Sequence, residues 1–206
     1  MIGRHAPPSS GHPSVKDIRK ILVIVNPDVQ DDYVLARAQR LARAFRPEVE
    51  LMVSEPGLEA AREYFTDLDV QVHPRVYSGR IEFDAMLERI RAFKPDLTLK
   101  SIRRRHPLAR LLVTSTDWKL VNHSPAPLWL VKSRDWYENG CILASVDPLH
   151  SKAQQNELDH LLLESATTLA QRLDLQTRIF HCYFPDLASM FPKVLDAGDY
   201  LLRKRQ

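Results

Sequence analysis

The chain has 206 residues, of which 44% are hydrophobic and 27% charged, as in a globular protein large enough to bury a sizeable core. Its net charge of +3 is small and its lysines and arginines are spread along the chain, which argues against a dedicated nucleic-acid surface. Two cysteines cannot build a disulfide framework, and no apolar run approaches the roughly 20 residues that span a bilayer.

Apolar runs alternate with helical patterns along the first two thirds of the chain. Residues 21–25 form a continuous apolar run, as in a strand covered on both faces, and apolar residues recur at helical spacing over 31–45. Ser78 is placed to cap a helix. The predicted strands are 21–25, 49–53, 70–76, 97–99 and 127–131, and the predicted helices are 31–45, 78–93 and 111–121. Residues 56–65 are predicted to be a short helical or irregular passage. This alternation predicts an α/β domain with a parallel sheet over residues 19–133, after a disordered lead-in at 1–18.

The same pattern begins again 121 residues later. The run Ile-Leu-Val-Ile-Val-Asn-Pro from Ile21 is echoed by Ile-Leu-Ala-Ser-Val-Asp-Pro from Ile142, after a turn-rich linker at 134–140. In this second unit, residues 141–206, the predicted elements are strands 141–146 and 176–183, a helix at 151–173 between them, and short helices within 185–203. We expect a truncated second copy of the domain. Because a strand–helix–strand unit cannot bury both of its faces, we expect it to pack on the first domain or on another chain.

Four segments resemble the universal stress proteins, most closely the E-type tandem members. They are Ile21 to Asp28, Lys94 to Leu97, Thr114 to Trp118 (Thr-Ser-Thr-Asp-Trp) and Ser124 to Lys132 (Ser-Pro-Ala-Pro-Leu-Trp-Leu-Val-Lys). The resemblance implies a five-stranded parallel α/β sandwich of the Rossmann-like, adenine-nucleotide-hydrolase type. It also implies a cytoplasmic protein, homodimers or pseudo-dimers, and a role in bacterial stress resistance rather than turnover.

Many members of this family bind ATP through a Gly-x-x-Gly-x(9)-Gly-Ser/Thr loop after the fourth strand, where backbone N–H groups approach the phosphates. Ser115 matches the terminal Ser/Thr of that loop, but there is no glycine between Gly79 and Gly140. The acid that many members place after the first strand is Asn26 here, and Asp147 matches it in the second unit. We therefore predict that the chain has no nucleotide cofactor of the usual kind.

Two interpretations of the polar candidates remain open. Arg103 and Arg104 belong to the densest charge cluster, which is either a solvated basic loop or an anion site that uses a helix N-terminus and the nearby hydroxyls of Ser115 and Thr116. Likewise, Asn26 and Asp147 each precede a proline. They are either ligand contacts at the carboxyl ends of parallel strands or ordinary turn openers.

No enzyme or metal site is indicated. The eight histidines are scattered without metal-ligand spacing, and no Gly-x-Ser-x-Gly nucleophile motif occurs. Cys141 and Cys182 are predicted to be small core residues, with an exposed redox pair as the alternative.

Leu128, Trp129 and Leu130 on the fifth predicted strand are too apolar for an exposed edge, so we expect self-association there or coverage by the second unit. The leading hypothesis is a non-catalytic stress-response protein, degenerate for ATP, that acts through protein association without membrane or nucleic-acid partners. The alternative is a sensor that binds ATP or another anionic small molecule at the strand carboxyl ends.

Overall fold

The computed structural model describes residues 17–25, 32–102, 116–132, 140–146 and 153–181. The strands are β1 (Lys20–Ile24), β2 (Glu48–Ser54), β3 (Val72–Tyr77), β4 (Leu97–Ser101), β5 (Leu128–Val131), β6 (Cys141–Ser145) and β7 (Gln176–Phe180). The helices are α1 (Asp32–Phe45), α2 (Leu58–Glu63), α3 (Phe83–Phe93), α4 (Thr116–His123) and α5 (Ala153–Leu173). A 3-10 turn, Glu55–Gly57, precedes α2.

The first five strands form one parallel sheet in the order β3-β2-β1-β4-β5. The chain therefore leaves β1 for one side of the sheet and returns to its other side at β4, which makes β1 and β4 the point where the strand order reverses. The predicted α/β fold with a five-stranded parallel sheet is confirmed.

Helices cover both faces of this sheet, so its central strands are apolar on both sides. On one face, α1 and α2 pack over side chains such as Val23 and Leu51, and the buried cluster extends back to Ile18 in the predicted lead-in. On the other face, α3 and α4 pack over Leu22 and its neighbours. That second cluster consists of Leu22, Ile24, Met52, Ile81, Met86, Ile90, Phe93 and Leu120.

The second unit forms a separate two-stranded parallel sheet, β6-β7. Its helix α5 lies against α1 of the first domain. Leu173 at the end of α5 is buried in the first domain's core, and its carbonyl oxygen accepts a hydrogen bond from Arg40 Nη2 at 2.6 Å. The Arg172 guanidinium lies 5.6 Å from the centre of the Phe45 ring. The expected packing of this unit on the first domain is therefore observed.

Two local predictions are wrong. Ser78 does not cap α3, because the helix begins five residues later, after Gly79 has turned the chain with a φ of +78° and Glu82 has resumed an extended conformation. Cys141 is not a core residue, because β6 presents it to solvent. The predicted lead-in before residue 17, the start of the helix at 111–121, Cys182 and the helices at 185–203 lie outside the described residues.

Candidate functional site

The carboxyl ends of β1 and β4 lie side by side, with Ile24 and Lys100 as Cα partners. Open parallel sheets bind ligands at such a point, because the loops that leave the two strands diverge to opposite faces. The candidate ligand site of the first domain is therefore at this edge of the sheet. The hydroxyl oxygen of Ser101 is buried there and has no hydrogen-bond partner among the residues that the structure describes.

Most of the predicted site residues follow these strand ends in the sequence but lie outside the described residues. This applies to Asn26 after β1, to Arg103, Arg104 and Ser115 after β4, and to Asp147 after β6. Thr116 is described, and α4 is described from this residue onward. The structure thus includes one of the six predicted ligand contacts, and its role stays a prediction.

A buried ion pair that the sequence analysis missed occupies the same edge. The Lys100 side chain is 5% exposed, and its Nζ donates to Asp117 Oδ1 at 2.6 Å and to the Ser101 carbonyl oxygen at 3.0 Å. Asp117 lies in the first turn of α4. The contact therefore links the end of β4 to the start of α4 across the undescribed stretch 103–115. Lys100 is the single charged residue of β4 (Leu-Thr-Leu-Lys-Ser), and this is the signal that could have identified the pair.

The ion pair also changes the electrostatics of the α4 N-terminus. A helix N-terminus attracts anions through its free N–H groups and its dipole. Here the carboxylate of Asp117 already supplies a negative charge in the first turn, and the nearest buried cation, Lys100, is already neutralised by it. Among the described side chains at this edge, the charges of Lys100 and Asp117 therefore neutralise each other and leave no net positive charge for an anion.

A second buried charge cluster lies between the sheet and α3. Glu50 on β2 is 4% exposed, and both of its carboxylate oxygens accept hydrogen bonds from Arg89 on α3. This hydrogen bonding is the main reason that the pKa of Arg89 lies above its ordinary value. Arg75 Nε on β3 lies 3.7 Å from Glu50 Oε1. The arrangement fixes α3 on the sheet. In the sequence, the only indication of this cluster is Glu50, a charged residue within the apolar run of β2.

Strand β5 forms the outer edge of the sheet. Leu128, Trp129 and Leu130 are each half-buried: Trp129 packs against the core under α1, and Leu128 against the core under α3. The second unit does not extend the sheet at this edge, since β6 and β7 pair only with each other. No strand within the described part of the chain pairs with the outer side of β5.

The described residues hold no group of three or more His, Cys, Asp or Glu side chains that could bind a metal ion. Two shallow depressions lie along α3 and α5, and neither contains a predicted site residue. Among the helices of the described ranges, none is long and apolar enough to cross a membrane.

Comparison with known proteins confirms the resemblance inferred from the sequence. Residues 51–132 match the universal stress protein family. Universal stress protein E of Escherichia coli is 25% identical over 184 residues, which cover 76% of this chain and 58% of that protein. The universal stress protein E homolog of Haemophilus influenzae is 26% identical over 188 residues, which cover 76% of this chain and 61% of that protein.

Structural comparison supports the same fold. A crystal structure of a protein from Pseudomonas aeruginosa UCBPP-PA14, described as a universal stress protein, superposes with a TM-score of 0.73 at 20% identity and covers 93% of this chain and 71% of that chain. The present chain spans about 58% of the length of the E. coli relative that it matches.

Proposed function

We propose that this chain, whose residues 51–132 match the universal stress protein family, acts in the bacterial cytoplasm as a non-catalytic stress-response protein, by associating with protein through the outer edge of β5. The observation that supports this proposal most directly is the half-buried, apolar β5, whose outer side has no partner strand in the described part of the chain.

The backbone of β5 offers hydrogen bonds at this edge. Thr98 N donates to the Pro127 carbonyl at 2.9 Å, and Ile102 N donates to the Val131 carbonyl at 2.8 Å, so these two carbonyls face β4. Because backbone groups alternate in direction along a strand, the N–H and C=O groups of Leu128 and Leu130 face away from β4. An apolar strand with outward-facing polar backbone groups favours pairing with a strand of another chain.

The proposal includes the loss of ATP binding. It is supported by the absence of glycine between Gly79 and Gly140 and by the Lys100–Asp117 pair at the α4 N-terminus, where a bound phosphate would meet a carboxylate. The arginines at 103–105 support the alternative proposal, a sensor for ATP or another anionic small molecule that uses Asn26, Ser115 and Thr116 with the arginine loop.

Two substitutions of one residue test association through β5. Leu130→Pro removes an N–H that faces the edge and leaves the hydrogen bonds to β4 intact, whereas Leu130→Ala shortens the side chain and keeps that N–H. In sedimentation equilibrium, we expect Leu130→Pro to weaken self-association at least about tenfold and Leu130→Ala to weaken it less.

Equal self-association of the original chain and Leu130→Pro would contradict the use of this edge between copies. Both variants must first show the far-ultraviolet circular dichroism and the cooperative urea unfolding of the original chain, so that a loss of folding is not mistaken for a loss of pairing.

A further inference from the structure

Helix α5 lies on one face of the β6-β7 sheet, and the other face is open. On the α5 face, Ala144 is buried together with Ala166 and Ala170 of α5, whereas Ile179 is 64% exposed. Because side chains alternate along a strand, Leu143 and Ser145 point to the opposite face. The strand register places Arg178 beside Leu143 and Phe180 beside Ser145. Leu143 is 57% exposed and Phe180 is 47% exposed, so the two large apolar side chains of this face are left uncovered by the residues that the structure describes.

The internal repeat shows what covers the same face in the first domain. The pairs Lys20–Glu48 and Cys141–Gln176 begin the two sheets in the same register, so Leu143 is equivalent to Leu22 and Phe180 to Met52. Leu22 and Met52 are fully buried, because α3 and α4 pack over them. The open face of β6-β7 therefore has the geometry of a surface that, in the first domain, receives two amphipathic helices.

One equivalent position carries the opposite charge. Glu50 pairs in register with Leu22 and is bound by Arg89 of α3, whereas Arg178 pairs in register with Leu143. Arg178 is exposed, and no residue of the described ranges forms a hydrogen bond or ion pair with it. A helix that covers this face in the manner of α3 would bring its own charged residue to Arg178. A carboxylate there would complete the pair with its charges reversed.

We propose that the open face of β6-β7 binds an amphipathic helix of a partner protein. Apolar side chains of that helix contact Leu143 and Phe180, and one of its Asp or Glu residues pairs with Arg178.

A second copy of this chain is a poorer occupant. The open face consists of Cys141, Leu143, Ser145, Gln176, Arg178 and Phe180 and has no acidic residue. Two such faces in contact would share apolar area but would bring two arginines together without a carboxylate between them. This surface is separate from the edge of β5.

The chain itself supplies a probe for this face. A synthetic peptide with the sequence of residues 80–94 reproduces α3, and a lactam between Glu88 and a lysine introduced by Ala92→Lys holds it helical, because both positions are exposed on α3. The acidic peptide also carries Arg89→Glu, and the basic peptide, which is the control, keeps Arg89. The full chain is used with Cys182→Ser, so that Cys141 is the single thiol.

By fluorescence anisotropy we expect the acidic peptide to bind about tenfold more tightly than the basic peptide. In the chain variant Arg178→Glu this preference should reverse. Leu143→Asp should abolish binding of both peptides, whereas Leu158→Asp, at an exposed position on α5, should leave binding unchanged. Saturating peptide should slow the alkylation of Cys141 about tenfold, since Cys141 lies on the same face.

Several outcomes would overturn the proposal. They are equal binding of the two peptides, a preference that Arg178→Glu does not reverse, and no binding at about 1 mM peptide. Alkylation of Cys141 that is slow in the free chain and accelerates on dilution would identify a second copy as the occupant. Slow alkylation that accelerates on deletion of residues 184–206 would identify that segment of the chain as the occupant.

Discussion

Among single residues, the most informative is Lys100, whose role the sequence pattern does not reveal. The arginines at 103–105 form the densest run of charge, whereas Lys100 is a single charge within a strand. A sequence pattern does not show whether such a charge reaches solvent at the end of a strand or is enclosed by a helix. Here the first turn of α4 brings Asp117 over it, and the charge is buried and paired.

The two halves of this pair should differ in their effect on stability. Asp117→Asn leaves a charged lysine that is 5% exposed, and we expect it to lower the free energy of unfolding by about 3–4 kcal/mol. Lys100→Met leaves a carboxylate that is 18% exposed at a helix N-terminus, where the helix dipole favours it, so we expect a loss of about 1–2 kcal/mol. Urea unfolding of both variants at pH 7 measures the difference. A greater loss of unfolding free energy for Lys100→Met would contradict this expectation, because it would show that an unpaired Asp117 destabilises the fold more than an unpaired Lys100.

At the scale of elements, the strands and helices of the first domain were largely predictable. Their apolar runs are bounded by turn residues, and both sheet faces are covered, so periodicity alone located β1, β2, β4 and β5 to within two residues. The start of α3 was not predictable, because Ser78 has the chemistry of a cap but the positive φ of Gly79 moves the chain away before the helix begins. Cys141 was misplaced because its burial depends on what covers β6.

The attachment of the second unit depends on one end of α5. Leu173 is buried in the first domain's core, and a two-stranded sheet is marginal alone. We expect Leu173→Asp to release β6, α5 and β7, so that amide hydrogen exchange in α5 rises by at least about a hundredfold while β1 and β4 stay protected. Leu162→Asp, at a position 39% exposed on the same helix, is the matched control and should leave exchange unchanged. Continued protection of α5 in Leu173→Asp would show that other contacts hold the unit.

In the molecule as a whole, the internal repeat relates the covered faces of the first domain to the uncovered surface of the second unit. The sequence predicted two related units and a second one unable to cover both of its faces, and the structure shows α5 over part of one face, with Ile179 still 64% exposed there, and solvent on the other face. The ion pair between Glu50 and Arg89 could not be inferred from the repeat, because it depends on the position of α3. Nor could the equivalence of Arg178 to Glu50, because it depends on strand register. The predicted contacts at Asn26, Arg103, Arg104, Ser115 and Asp147 remain predictions.

Titration calorimetry with ATP and Mg²⁺ tests the proposal that this chain, whose residues 51–132 match the universal stress protein family, acts by association without nucleotide. Inorganic triphosphate, which lacks the base, is the control ligand. We predict no saturable heat from ATP at millimolar concentrations. The segment that follows β4 has no glycine, and the Asp117 carboxylate in the first turn of α4 already supplies the negative charge that the helix dipole would attract. Saturable binding that is lost in Arg103→Ala/Arg104→Ala would contradict this account and would establish the sensor in its place.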